Sequence, residues 1–526
     1  MVSKSKLLRY LWVAVFAGVA VFFGVYVYQI VKLLTSGISL PLEYGDGWNM
    51  YVASWWGNGG LSHIYSPRGE IPYVNMPYTP LYYLLVGVFY PLTGPNFWVG
   101  RVISLAAGFG CSILFYFILK KLTSSKWWGL VGAVLFFMPP VVRGWTFWFK
   151  TEPMALFFSI LGLYLVVKFN GTRKVLWSVI PVLLAIFTKQ TFASAAVAVG
   201  IYLLITNWKL ALQYAGLIIT GGLIGVGLCQ WLSGGTFISN VLVGPSMVPK
   251  YWMLSLYIME LVIVKQWIII TLALGAILLL VRKKEFRTLP ILFAIYFLIA
   301  TAVCTAVSSK SGGWLPYSIE MMPAAVILVV IFAWRVSKLE IPIKKNFGIF
   351  VEEKKYSLGL SSSDGLKMFI PILLLSQLFS LPSYYSWGVN TVTTEEYKIV
   401  LDYISEVPKD TPIMSEYEEL MIWSGREPVA EPSFFSQCVR KGVLDVTPIL
   451  NMVKNKELGL IIQEWDINTY WDPVIGTFPN WVPQKVKDNY NMGVLRSTDE
   501  LAEAIRDNYQ FKDHVGRFWI YEPKVS

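Results

Sequence analysis

The chain has 526 residues, 55% of them hydrophobic and 15% charged, with a mean hydropathy of +0.54. Soluble globular chains carry about 25% charged residues, so this composition excludes that class; repeated apolar runs of about 20 residues indicate a polytopic helical membrane protein. The net charge of +11 would suggest nucleic acid in a soluble protein, but the basic excess of cytoplasmic membrane loops accounts for it, and no nucleic-acid partner is expected.

In chain order, Lys4, Lys6 and Arg9 lead into an apolar stretch over 9–34 with no small-residue cleavage pattern, which predicts an uncleaved anchor. A long first outer loop, 35–96, follows. It opens with Glu43-Tyr44-Gly45-Asp46-Gly47-Trp48, carries Tyr51, Trp55, Trp56, Tyr65 and Tyr73, and reaches Met76-Pro77-Tyr78-Thr79-Pro80. Further apolar windows fall at 97–120, 127–142, 152–168, 175–190, 191–206, 210–232, 254–281, 289–308, 316–335 and 367–384, about eleven spans in all. Thr188-Lys189-Gln190 interrupts one long apolar stretch between the fifth and sixth.

Basic residues cluster in alternate loops: Lys120/Lys121/Lys126, Lys168/Arg173/Lys174, Lys209, Arg282/Lys283/Lys284/Arg287 and the 335–367 segment. The intervening loops hold single basic residues, so the N-terminus is placed in the cytoplasm. An odd span count then puts 385–526 outside the cell membrane. This tail is polar and acidic, with an amphipathic helix from Thr394 to Ser405, strands at 412–415 and 458–463, and a helix over 498–508 capped by Ser497 or Thr498. Two parts are expected: a transmembrane catalytic module over 1–384 and an extracytoplasmic α/β domain over 385–526. The four cysteines show no CxxC spacing, which argues against a disulfide framework or a zinc site.

Ionisable residues on the outer side form a short set. His63, Arg68, Glu70 and Lys250 read as structural or solvated loop groups, and Glu43, Arg143 and Lys150 stand beside them. Asp46 is flanked by two glycines, which permits a tight backbone and close approach of a substrate. Glu152 opens the fourth span, where an acid also favours the helix dipole, with Thr151 as a cap and Pro153 suited to the first turn. Lys189 lies among Ile186, Phe187 and Phe192, where an unpaired ammonium is costly, so it needs a carboxylate or a substrate phosphate. Lys310-Ser311-Gly312-Gly313 opens the tenth span; its amides and lysine suit a phosphate, with Glu320 one turn on to orient the lysine. Carboxylates suit activation of a hydroxyl and lysines suit a departing phosphate, which fits group transfer from a phosphate carrier to an alcohol.

These residues, in this order, resemble the GT-C-type integral-membrane glycosyltransferases, the group of aminoarabinose transferases and protein O-mannosyltransferases. The resemblance rests on Asp46, the aromatic stretch from Met76 to Tyr83, Gly100-Arg101, Glu152, Thr188-Lys189, and Lys310-Ser311-Gly312 with Tyr317 and Glu320. It extends to Ile413-Met414-Ser415-Glu416 and Ser424-Gly425-Arg426-Glu427-Pro428 in the tail. Relatives often carry Asn where this chain has Pro316. The resemblance implies a donor sugar on a polyprenyl or dolichyl phosphate, a lipid, glycan or protein hydroxyl as acceptor, and inversion at the anomeric carbon. Asp46 is then the general base, with Glu152 the second catalytic acid residue. Lys189, Lys310 and Arg101 bind the donor phosphate, while Trp48, Tyr78, Tyr317 and Glu320 contact sugar or acceptor. No cofactor is expected to be required; a divalent cation shared by Asp46 and Glu152 is the alternative. Against this stand a transporter or flippase of a lipid-linked or anionic substrate, which matching broken-helix repeats would support, and a non-catalytic membrane scaffold.

Overall fold

A computed structural model describes residues 4–34, 40–41, 45–65, 71–73, 76–338, 362–379, 393–440, 442, 444–470, 481–483, 487 and 496–525. Glu43, Arg68 and Glu70, the side chains of Trp56 and His63, and most of the basic 335–367 segment lie outside the described residues.

The molecule is a multi-pass helical membrane protein. Five of its described helices are long and apolar enough to cross a membrane: Phe97–Thr123, Trp208–Leu232, Trp252–Arg282, Leu289–Ser308 and Leu315–Ser337. A sixth forms if Lys126–Leu135 and Pro140–Phe147, bent by 72° where Pro139 and Pro140 interrupt the helix, count as one. The 127–142 window was expected as a single span; the proline pair breaks it and carries the helix on to Phe147. Helices Lys4–Leu34, Glu152–Lys168, Val179–Thr188, Ser194–Thr206 and Ser362–Phe379 fill the other apolar windows.

Burial sorts the spans. In Leu315–Ser337, 83% of the apolar window is buried, against 6% in Trp208–Leu232, so the former is the central helix and the latter a rim helix facing lipid. Small residues let neighbours approach closely. A Cβ at Gly100 would lie 2.2 Å from the Phe149 ring, one at Gly108 2.3 Å from Thr146, and one at Gly110 2.6 Å from Phe157.

After the spans comes a four-stranded sheet of order β1-β2-β4-β3. β1 (Ile413–Ser415) runs parallel to β2 (Leu460–Gln463); β2 pairs antiparallel with β4 (Phe518–Pro523), and β4 with β3 (Tyr509–Val515). β2 is buried along its whole length, as a strand covered on both faces must be. Helices Pro432–Arg440, Thr447–Lys454 and Asp499–Asn508 share one core with the sheet, and Thr394–Glu406 and Glu418–Ser424 another. The expected amphipathic helix is present with a full capping box from Thr393 and Glu396, and Thr498 caps the last helix through the Leu501 amide. The β3–β4 hairpin was not anticipated, although Gly516-Arg517 between two strand-forming runs is a hairpin signal and Gly516 has φ +60°.

Candidate active site

Asp46 is the first residue of helix Asp46–Gly59, where its charge meets the positive end of the helix dipole. Its carboxylate is fully buried. Arg101 Nη2, from the second turn of Phe97–Thr123, lies 3.3 Å from Asp46 Oδ2 and donates to the Leu40 carbonyl at 2.5 Å. Lys150 Nζ stands 3.9 Å from Oδ1. Gly45 has φ +89°, and a Cβ there would come within 3.3 Å of the Lys150 ammonium. Close approach at Gly47 comes from Glu419 of the C-terminal unit. The flanking glycines thus admit the protein's own charged side chains. Arg101, expected at the donor phosphate, is engaged with Asp46.

The rest of the outer loop holds this helix from behind. Asn49 donates to the Phe149 carbonyl at 2.7 Å and accepts from the Tyr83 hydroxyl at 2.8 Å. Lys150 therefore follows a backbone segment tied to the helix that carries Asp46. Trp48 is buried at a ring distance of 5.9 Å from Tyr51, whose hydroxyl donates to Glu427 at 2.9 Å. It is packing for this helix and not an open stacking platform.

A second charged group lies at the break between two spans. Glu152 begins helix Glu152–Lys168, and Lys189 follows the last residue of Val179–Thr188; their Oε1 and Nζ meet at 2.7 Å, both buried. The anionic partner demanded by Lys189 is therefore Glu152. The Thr151 hydroxyl donates to Glu152 Oε2 at 3.2 Å and makes no helix cap. The Lys189 ammonium lies 4.6 Å from the Tyr78 ring centroid and 5.6 Å from that of Tyr317, within cation–π range. Thr79 donates to the Ile186 carbonyl at 2.9 Å, and Gln190 to the Pro77 carbonyl at 2.6 Å. These bonds fasten the Met76–Pro80 stretch over the lysine. Lys150, beside Asp46, is also within electrostatic reach of Glu152, so one cation lies between the two acids.

Glu320 is buried and accepts from Ser159 at 3.2 Å, Ser194 at 2.7 Å and Tyr296 at 3.1 Å. It does not orient Lys310 as expected, because three hydroxyls from neighbouring helices hold it. Lys310 instead pairs through its backbone in an antiparallel bridge with Lys250, fixed by the Tyr251 amide donating to the Ser309 carbonyl and the Ser311 amide to the Pro249 carbonyl at 2.8 Å. Burial, reinforced by the neighbouring Lys250 charge, lowers the Lys310 pKa from its ordinary value. Two lysines paired in one backbone bridge, with Lys250 in electrostatic reach of Lys310, concentrate positive charge that suits an anion.

Among the described residues, no three His, Cys, Asp or Glu converge in a geometry able to hold a metal ion. Arg101 and Lys150 hold Asp46 and Lys189 holds Glu152, with Lys150 in electrostatic reach of both acids. Sequence reasoning counted Lys150 among the outer ionisable residues without giving it a role, and it did not reach Glu419. Lys150 could have been found from its place two residues before Glu152 in the same outer turn; Glu419 carries no local signal.

Residues 76–231 match the family model described as dolichyl-phosphate-mannose-protein mannosyltransferase. This stretch holds Tyr78, Arg101, Lys150, Glu152 and Lys189, and stops short of Asp46. Two crystal structures of ArnT from Cupriavidus metallidurans share the fold at 11% identity, and in both cases the match covers 96% of this chain and 98% of that one. The TM-score is 0.52 for the apo state and 0.56 for the form bound to undecaprenyl phosphate. No curated protein matches the chain. The GT-C resemblance read from the ordered motifs is thus met at the level of fold.

Proposed function

We propose that the protein transfers a sugar from a polyprenyl- or dolichyl-phosphate carrier to a hydroxyl acceptor on the outer face of the membrane, with inversion. The observation that carries this reading is the buried Asp46 carboxylate, held at a helix start by Arg101 and Lys150, next to the Glu152–Lys189 pair. Asp46 takes the acceptor's proton as the acceptor oxygen attacks the anomeric carbon. The bond from that carbon to the phosphate oxygen breaks, and the lipid phosphate leaves with the electron pair. Lys189 and the Lys310–Lys250 pair offset the charge that develops on it. Glu152 holds Lys189 in place, and Arg101 holds Asp46. The match of residues 76–231 to a mannosyltransferase family and the shared fold with a protein that binds undecaprenyl phosphate support the lipid-phosphate donor.

The same reading takes the apolar windows as eleven crossings, with the N-terminus in the cytoplasm and the 385–526 domain outside. It requires no metal, since the lysines named above are given the task of offsetting the phosphate charge; transfer is expected to persist in excess EDTA.

Asp46→Asn is the direct test. Loss of a general base lowers transfer by about a hundredfold to ten-thousandfold, while undecaprenyl phosphate binding is retained. Mass spectrometry of envelope glycans and glycolipids, with and without the protein, identifies the sugar and its acceptor. Normal transfer by Asp46→Asn removes the general-base assignment; unchanged glycans and glycolipids argue for the transporter or scaffold readings.

A further inference from the structure

The C-terminal unit reaches the Asp46 centre at three places. Glu419, in helix Glu418–Ser424, lies against Gly47: a Cβ at Gly47 would fall 1.9 Å from Glu419 Oε2 and 3.1 Å from the Glu419 amide nitrogen. The Trp423 ring of the same helix meets Phe97 edge-on at 6.0 Å, and the Arg101 guanidinium lies 5.1 Å from the Phe97 centroid. Leu40, whose carbonyl receives Arg101 Nη2, packs into the sheet core with Tyr397, Leu420 and Phe518. Asp46 and its arginine are thus both fastened to one helix and one core outside the membrane module.

We propose that Glu419 is a positioning residue for Asp46, through which the C-terminal unit fixes the catalytic carboxylate. The inference rests on the role given to Asp46 above. Glu419 is buried, and the Tyr397 hydroxyl donates to its Oε1 at 2.7 Å. Tyr397 is itself locked by Trp423 at 5.5 Å and Phe518 at 5.0 Å. Held from behind in this way, the carboxyl presses on the residue directly after Asp46. A side chain at Gly47 would displace the Glu419 carboxyl that Tyr397 holds and meet the Glu419 amide nitrogen at 3.1 Å. The start of helix Asp46–Gly59 is therefore clamped between Glu419 on one side and Arg101 with Lys150 on the other. Misplacement of a reacting group by about 1 Å costs on the order of a hundredfold in rate, so such a clamp matters to the chemistry without touching substrate.

The test uses the full-length protein in lipid nanodiscs. A water-soluble carbodiimide with an amine nucleophile labels carboxylates, and peptide mass spectrometry reads the labelling rates of Asp46 and Glu152 separately. Glu419→Ala is expected to raise Asp46 labelling about tenfold or more while leaving Glu152 labelling and undecaprenyl phosphate binding unchanged. It is also expected to lower kcat of the transfer about tenfold to a hundredfold, with little change in donor KM. Glu419→Gln, which keeps shape and the Tyr397 bond, brings Asp46 labelling back toward the wild-type rate. If Glu419→Ala does not fold, Tyr397→Phe removes only the donor that holds Glu419 and carries the same expectation. Unchanged Asp46 labelling in a folded variant overturns the proposal, even where Asp46→Asn is inactive. Raised labelling together with normal transfer by Asp46→Asn leaves the contact standing and removes the base assignment instead.

Discussion

Lys189 and Glu152 place opposite charges inside a helical bundle, and neither can be removed alone without leaving the other unpaired. Losing one partner of a buried pair costs about 3–5 kcal/mol, whereas replacing both with apolar groups is often neutral. Lys189→Met is therefore expected to melt well below the wild type, and Glu152→Leu combined with Lys189→Met to recover most of the loss; equal melting of single and double variants would show that the pair is uncoupled. Glu419 behaves differently because it is a buried acid facing other acids. Burial, with Asp46 and Glu464 adding to it, pushes its pKa up to about 7, and burial with Glu431 and Glu419 raises that of Glu418. An acid whose folded pKa exceeds its unfolded value stabilises the fold below the unfolded value, and that contribution is lost as pH rises through the folded one. For Glu419 the window runs from the ordinary 4.5 to about 7, worth on the order of 3 kcal/mol. Glu419→Gln is expected to be more stable than wild type at pH 8, with the difference shrinking toward pH 5 in thermal melts. A difference that grows on acidification would reverse the sign and defeat the assignment. At this scale Asp46, Glu152 and Lys189 were legible because a charge beside an apolar span must have a reason. Glu419 was not, since its reason is a glycine far along the chain.

Helices of this protein are approached closely where a glycine faces a bulky side chain, and one such contact stands beside the site. Gly100 receives the Phe149 ring, which lies directly before Lys150 and packs near Tyr82 and Phe97. Gly100→Ala is expected to cost about 1–3 kcal/mol by overpacking and to shift Lys150 away from Asp46. Gly216→Ala, with nothing within 4 Å of its Cβ, is the control and should melt like wild type or slightly above it. Equal melting of the two variants would mean that the Phe149 crossing relaxes without strain. The helices themselves were largely legible, because an apolar window announces a span and a lysine inside one announces a break, as at Thr188-Lys189-Gln190. The bend at Pro139-Pro140 and the β3–β4 hairpin had local signals that hydropathy alone does not weigh. Pairings between elements had none, since sequence gives the faces of a helix but not their partners.

The side of the membrane proposed for Asp46 is tested at the scale of the whole molecule. Helix Glu418–Ser424 lies against helix Asp46–Gly59 through Glu419 and Gly47, and Tyr51 bonds Glu427, so the sheet domain and Asp46 share one face. Finding the side of the sheet therefore finds the side of Asp46. The basic 282–287 loop follows the end of Trp252–Arg282 proposed to face the cytoplasm, and its Lys283 is exposed. Glu503, on the solvent side of helix Asp499–Asn508, is also exposed. The four native cysteines are buried, so they give little background to thiol labelling. In intact cells, a membrane-impermeant maleimide is expected to label Glu503→Cys at once and Lys283→Cys only after permeabilisation. The reverse pattern would put Asp46 in the cytoplasm and remove the outer-face transfer. Labelling of both in intact cells would mean that the span count between them is even, which eleven crossings forbid.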